Sequence, residues 1–143
     1  MENKKLLDKF KLDNEVIIIT GAAGLLGEMH AETVLEAGGK AVLLDINQDL
    51  LVNKVKKIEE FYGSNVLGLT CDITNKEQIE DCLQKILKHY GTITGLINNA
   101  ANDPKVDKKN DNKSLTRFEN LTLDKWQKDL NVGLTGSFLC SQI

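Results

Sequence analysis

Apolar residues in this chain come in short unbroken runs, separated by stretches where they recur every three or four positions. "EVIIIT" (Glu15–Thr20), "AVLLD" (Ala41–Asp45), "NVLGLTCD" (Asn65–Asp72) and "TGLINNA" (Thr94–Ala100) are the runs. A strand covered on both faces reads this way, because neither alternate set of side chains meets water. Between the runs lie helical patterns. Leu25–Ala37 predicts a helix closed by Gly38 and Gly39. Leu51, Val55, Ile58 and Tyr62 share one face of the next, with Asn47 as its cap and Gly63 as its stop. Ile79, Leu83, Ile86 and Tyr90 face inward on a third, which "TNKE" (Thr74–Glu77) opens with capping-box spacing and Gly91 ends. A last helix starts near Thr122, its own candidate cap, and carries Trp126, Leu130, Leu134 and Phe138 at helical spacing.

Strands that alternate with single helices form parallel βαβ units with right-handed crossovers. The pattern predicts an α/β fold, a doubly wound parallel sheet of Rossmann type, as one domain over residues 1–143. The stretch Asn102–Leu121 is polar and long for a connection in a compact fold. It reads as a solvated excursion or as a lid that grips substrate.

Composition narrows the classes. Of 143 residues, 41% are hydrophobic, enough for a real core and against global disorder. A net charge of -3 gives no reason to expect nucleic acid or an anionic membrane as partner. "MENKKLLDKFKLDN" has no apolar core of a signal peptide, and no run reaches the length of a membrane span, so a cytoplasmic protein is expected. Cys71, Cys82 and Cys140 are odd in number and form no CxxC pair. They read as reduced thiols rather than as a disulfide or a metal site, and no metal is expected.

The candidate chemistry sits in "TGAAGLLG" (Thr20–Gly27), where the first strand hands over to the first helix. Backbone N–H groups at a helix start favour a phosphate. Gly21 allows the sharp turn, Gly24 lets main chain approach the phosphate, and Gly27 lets the helix lie close to the sheet. A plain strand–helix turn would also use such glycines. Asp45 ends the second strand 24 residues after Gly21, the spacing of a ribose-binding acid. Its carboxylate accepts ribose hydroxyls and repels a 2'-phosphate. Ala23, Ile46 and Asn47 supply no positive charge, so NAD is expected over NADP. An ordinary turn aspartate is the alternative. Asp72, at the end of the third strand, could accept from an adenine amino group or cap a turn with Thr74.

"TGAAGLLG", "LLDIN", "CDIT", "NNAA" and "NVGLTGSF", in this order, resemble the short-chain dehydrogenase/reductase family, classical branch, over Glu15–Ile143. The resemblance implies a sheet ordered 3-2-1-4-5-6-7, of which this chain supplies 3-2-1-4. It implies cofactor contacts at Gly21, Ala23, Gly24, Leu25, Leu26, Gly27, Asp45, Ile46, Asp72, Ile73, Asn99, Ala100 and Ala101, with Asn98, Asn99 and Ala100 bracing the sheet and bordering the adenosine ribose. It implies that Asn131 supports a catalytic lysine through a water, and that intact members pair as homo-oligomers through the helix from Thr122 and the next one. Two departures stand out. Leu25 occupies the place of a glycine, giving a Gly-x-x-Gly-x-x-Gly spacing like that of the extended branch, and "NNAA" ends in Ala101 instead of glycine. The mixture is similar to flagellin-modification oxidoreductases, which serve bacterial sugar pathways.

The family's chemistry needs a tyrosine with a lysine four residues on, since a tyrosine near its usual pKa of about 10 is a poor base without a cation beside it. Val66 follows Tyr62 at that distance and Thr94 follows Tyr90. The catalytic serine, tyrosine and lysine of the resemblance lie beyond residue 143. The expectation is the cofactor-binding N-terminal part of an NAD-dependent oxidoreductase on a small-molecule, sugar-like substrate. As a 143-residue piece it should bind NAD weakly at best and not turn over. A nucleotide-sugar epimerase or dehydratase, and a non-catalytic nucleotide-binding module, are the alternatives.

Overall fold

The computed structural model describes residues 6–102 and 118–143. The inner part of the polar stretch after Asn102 therefore lies outside the described residues. A short 3-10 turn, Leu6–Phe10, leads into β1 (Val16–Thr20), α1 (Leu25–Glu36), β2 (Lys40–Asp45), α2 (Gln48–Tyr62), β3 (Val66–Thr70), α3 (Lys76–Tyr90) and β4 (Gly95–Ile97). After the gap come α4 (Leu123–Leu130), a π-helical turn at Asn131–Gly136 and α5 (Ser137–Gln142), in succession.

All pairings are parallel, and the sheet order is β3-β2-β1-β4. Ile18 of β1 stands level with Val42 of β2 and Leu96 of β4. Successive residues of each strand feed opposite faces. Ile19, Ala41 and Leu43 join Ala31, Val34, Leu35, Leu51 and Ile58 under α1 and α2. Val16, Val42 and Leu44 join Ile79, Cys82 and Ile86 under α3, with Leu139, Cys140 and Ile143 packed alongside. That two-sided burial is why the strands read as unbroken apolar runs.

The helix ends follow the expected chemistry, with one correction. Asn47 accepts from the Leu50 N–H at 3.0 Å, and Thr122 accepts from that of Lys125 at 3.3 Å. Gly91 closes α3 in the left-handed conformation. The cap of α3, however, is Asn75, which accepts from the Gln78 N–H, because Thr74 is drawn away to Asp72. The third and fourth strands also stop early, at Thr70 and Ile97. The residues beyond them leave the sheet to make the turns that shape the site.

The last helix departs most. Its seat on the sheet uses Val132, Gly136, Leu139, Cys140 and Ile143. Trp126, Leu134 and Phe138 point away, 47%, 66% and 57% exposed. The π-helical turn, which precedes Phe138, brings buried Gly136 against Ile73, where an added Cβ would stand 2.6 Å from Ile73 Cδ1. An apolar groove of about 440 Å³ runs between α3, β4 and α5, past Ile18, Ile86, Ile93, Leu96, Cys140 and Ile143. Among the described residues no helix is long and apolar enough to cross a membrane.

Candidate functional site

The site forms where the C-terminal ends of the parallel strands splay apart, the place where open α/β sheets bind ligands. Thr20 organises it. Its side chain is fully buried, and its hydroxyl accepts the N–H groups of Asn99 and Ala100, both at 3.1 Å. Asn99 answers by donating from Nδ2 to the carbonyls of Thr20 and Gly21, at 2.9 and 3.2 Å. The ends of β1 and β4 are thus laced together, and the chain after Ile97 is held beside the glycine loop. Asn98 instead donates to Ser141 Oγ at 3.1 Å, tying the same turn to α5.

The three glycines of the loop do different work. Gly21 has φ +64°, and a Cβ there would stand 2.7 Å from Ala100 Cα. At Gly27 a Cβ would stand 2.5 Å from Ala22 Cα and 2.6 Å from the Gly21 carbonyl oxygen. Gly27 therefore holds α1 against the loop's own backbone, a closer neighbour than the sheet strands expected from the sequence. At Gly24 an added Cβ meets only the Gly21 carbonyl oxygen, at 3.3 Å, and φ is an ordinary -74°. The fold requires glycine at the first and last of these positions; at the middle one, which lines the cleft, a Cβ would be tight against a single atom.

Asp45 closes the corner. Its Oδ2 accepts the Ala23 N–H at 2.9 Å, and its Oδ1 accepts that of Asn47 at 2.9 Å. A carboxylate has about four lone-pair sites, so these bonds fix its direction and leave it capacity for two hydroxyl donors. Asp72 turns the next corner. Its Oδ1 accepts both the N–H and the hydroxyl of Thr74, at 2.9 and 2.7 Å. The turn-capping reading of Asp72 is thus realised, and its second oxygen is the one left to face a ligand.

These groups line one cleft of about 670 Å³. Of the residues singled out in the sequence, Gly21, Gly24, Leu25, Leu26, Asp45, Ile46, Asp72, Ile73, Asn99, Ala100 and Ala101 are on its wall. Ala23 and Gly27 are not. Ala23 acts through its N–H on Asp45, and Gly27 through close packing. Asn131, singled out as a support for a lysine rather than as a cofactor contact, accepts on its Oδ1 from Gln127 Nε2 at 3.2 Å, and the following Val132 lines the cleft. Asn102 is a wall residue the sequence did not flag, held by donating to Asp129 Oδ1 at 2.8 Å. Thr20 was likewise missed as an organiser, although a hydroxyl ending an otherwise apolar strand was its visible signal.

The first turn of α1 has no side-chain cap, so its leading N–H groups lack intrahelical partners. Together with the helix dipole they favour a bound anion. The thiols are a different matter. Cys71 and Cys82 are buried, Cys82 Sγ donates to the Thr70 carbonyl at 3.8 Å, and the neighbouring Cys82 together with burial raises the Cys71 thiol above its usual range. Burial also raises that of Cys140. The raised thiols of Cys71 and Cys140 are poor nucleophiles. All three cysteines are free.

Residues 15–143 match the family model described as short chain dehydrogenase. An NAD-dependent glycerol dehydrogenase of Listeria innocua is 36% identical over 135 residues, which is 94% of this chain and 47% of that protein. A short chain dehydrogenase from Bacillus anthracis, solved by crystallography, superposes with a TM-score of 0.76 at 29% identity, covering 90% of this chain and 49% of that one. A 3-ketoacyl-(acyl-carrier-protein) reductase from Brucella melitensis, solved with NADH, shares the fold at a TM-score of 0.78 and 22% identity, over 92% and 49% of the two chains. The chain thus spans about half the length of these proteins. A 3-2-1-4 parallel sheet, a glycine corner closed by a strand-end aspartate and a family match over nearly the whole sequence agree: the chain belongs to the short-chain dehydrogenase family.

Proposed function

We propose that this chain is the cofactor-binding half of an NAD-dependent short-chain oxidoreductase, and that its cleft takes the adenosine diphosphate part of NAD. The observation that carries the reading is the Asp45 carboxylate, hydrogen-bonded to the Ala23 N–H within the glycine corner. It stands where the first ribose must lie if a diphosphate rests on the first turn of α1. Gly24 gives main chain room to approach that diphosphate, since a Cβ there would be tight against only a single protein atom. Asp72 Oδ2 and the apolar wall of Ile46 and Ile73 suit an adenine ring.

The preference for NAD over NADP rests on charge. A 2'-phosphate would meet the Asp45 carboxylate, and the cleft's lining includes no lysine or arginine among the described residues. When bound, NAD would accept hydride from a hydroxyl-bearing carbon, or as NADH return it to a carbonyl. This chain's part is to hold the adenosine end, direct the diphosphate and fix the ribose. A sugar-like hydroxylated substrate fits the sequence's likeness to flagellin-modification enzymes and the glycerol specificity in the relative's name. The accompanying proton transfer calls for a Tyr-x-x-x-Lys pair, and in this chain Val66 follows Tyr62 and Thr94 follows Tyr90 at that spacing, so the residues given supply the binding half of the chemistry.

Calorimetry of the purified chain with NAD, NADP and ADP tests the reading. Binding of NAD and ADP, with NADP at least tenfold weaker, supports it. Equal affinity for NADP would remove the assigned role of Asp45, and absence of NAD and ADP binding would remove the cleft assignment altogether.

A further inference from the structure

Behind the glycine loop lies a charged group that does not line the cleft. Glu28, in the first turn of α1, accepts from two lysines of α2: Lys54 Nζ at 2.7 Å and Lys57 Nζ at 3.1 Å. Lys54 Nζ also donates to the Gly24 carbonyl at 3.4 Å. The Lys54 and Glu28 side chains are only 16% and 20% exposed, whereas Lys57 is 65% exposed. The lysine hydrogen bonds hold the Glu28 carboxyl below the usual carboxylate range, so it is ionised at neutral pH. Lys57 also feels the Glu32 carboxylate, which leaves Lys54 as the ammonium that offsets Glu28 beside the loop.

The arrangement answers a difficulty of charge. A carboxylate in a helix's first turn suits the helix dipole, yet here it stands one turn behind donors that would face a diphosphate. Unscreened, it would oppose that ligand. Lys54 counters it from inside the loop. The peptide joining Gly24 to Leu25 is trans, so its C=O and N–H point in opposite directions. An ammonium on the Gly24 oxygen therefore fixes this peptide from behind and polarises the Leu25 N–H on its far side. That N–H is one of the leading donors that lack an intrahelical partner.

We propose that Lys54 is a positioning residue for phosphate: it holds and polarises the Gly24–Leu25 peptide, while Glu28 and Lys57 keep its ammonium in place. The proposal rests on the dinucleotide reading of the cleft and adds to it a group from the second βα unit that acts on the first. It separates phosphate-bearing ligands from adenosine itself, which needs only Asp45 and the apolar wall.

The test compares the 143-residue chain with its Lys54→Met and Lys54→Arg variants. ADP and NAD affinity are measured by calorimetry, and adenosine affinity by NMR titration. Lys54→Met should weaken ADP and NAD about three- to tenfold and leave adenosine unchanged, and Lys54→Arg should restore most of the loss. Equal weakening of adenosine, or no change in ADP and NAD, would overturn the proposal. Failure of the unmodified chain to bind either phosphate ligand would instead overturn the reading beneath it. Should Lys54→Met not fold, Lys54→Gln, which keeps a polar side chain without the charge, carries the same claim. It should weaken ADP about three- to tenfold with adenosine unchanged, and unchanged ADP affinity would overturn the proposal.

Discussion

Replacing the glycines of the loop one at a time should separate what the fold needs from what a ligand needs. In Gly21→Ala the new Cβ would lie 2.7 Å from Ala100 Cα, a backbone atom, at φ +64°. The left-handed conformation alone costs an L-residue about 1–2 kcal/mol, and crowding of this kind costs about 1–3 kcal/mol more. Gly27→Ala meets Ala22 Cα at 2.5 Å and the Gly21 carbonyl oxygen at 2.6 Å, again main chain that cannot swing aside. It should cost about 1–3 kcal/mol, partly offset by the roughly 1 kcal/mol that alanine gains over glycine in a helix. Gly24→Val is different. Its φ of -74° and ψ of 173° are open to any residue, and only the Gly21 carbonyl oxygen, at 3.3 Å, is near the first added atom. Its stability cost should stay within about 1 kcal/mol, the scale of a lost glycine cap. Yet its side chain would project into the cleft, and NAD affinity should fall by more than about tenfold, a loss of about 1.4 kcal/mol. Urea unfolding followed by circular dichroism gives the stabilities, and calorimetry gives the affinities. A Gly24→Val protein that loses more than about 2 kcal/mol of stability would refute this division of labour. So would one that folds normally and binds NAD as well as the parent.

Thr20→Val keeps shape but strips an acceptor from the Asn99 and Ala100 N–H groups. The Asn99 N–H keeps the Ile97 carbonyl at 3.0 Å, so one donor is orphaned and the urea-derived stability should fall by about 1–3 kcal/mol. Asp45→Asn faces one of its two N–H partners with an amide donor. It should cost about 1–2 kcal/mol of stability and weaken NAD about ten- to a hundredfold by calorimetry, while narrowing the gap to NADP. Glu28 has its folded pKa lowered, first by the Lys54 hydrogen bond and then by that of Lys57. Its contribution, about 0.5–1 kcal/mol, is present above the unfolded value of about 4.3 and is lost as pH falls through the folded value. Stability curves of the parent and Glu28→Gln chains should therefore differ at neutral pH and converge below about pH 4. Parallel curves across that range would contradict the pairing.

The sheet was legible because burial on both faces leaves a run such as Val16–Thr20 without polar interruption. The alternation of such runs with single helices admits few topologies. Asp45 was legible because spacing along the chain fixes where a strand end meets the loop. What escaped the sequence depends on geometry at a finer scale. Thr74 and Asn75 are adjacent polar residues, and the choice of cap turned on Thr74 being claimed by Asp72. The rotation of the last helix followed from the π-helical turn at Asn131–Gly136, which shifts every later side chain around the axis. A 3.6-residue period assumes no such turn, which is why Leu134 and Phe138 fall outside the seat that Gly136, Leu139 and Cys140 fill.

The central claim is that a dinucleotide lies across the glycine corner with its first ribose at Asp45. Titrating NAD into isotopically labelled chain, and following backbone amide shifts by NMR, tests it most directly. Binding should move the signals of Gly21–Gly27, Asp45–Ile46, Asp72–Ile73 and Asn99–Ala101 together, with one shared affinity. Shifts confined to the apolar groove around Ile86, Ile93 and Ile143, or none at millimolar NAD, would contradict it.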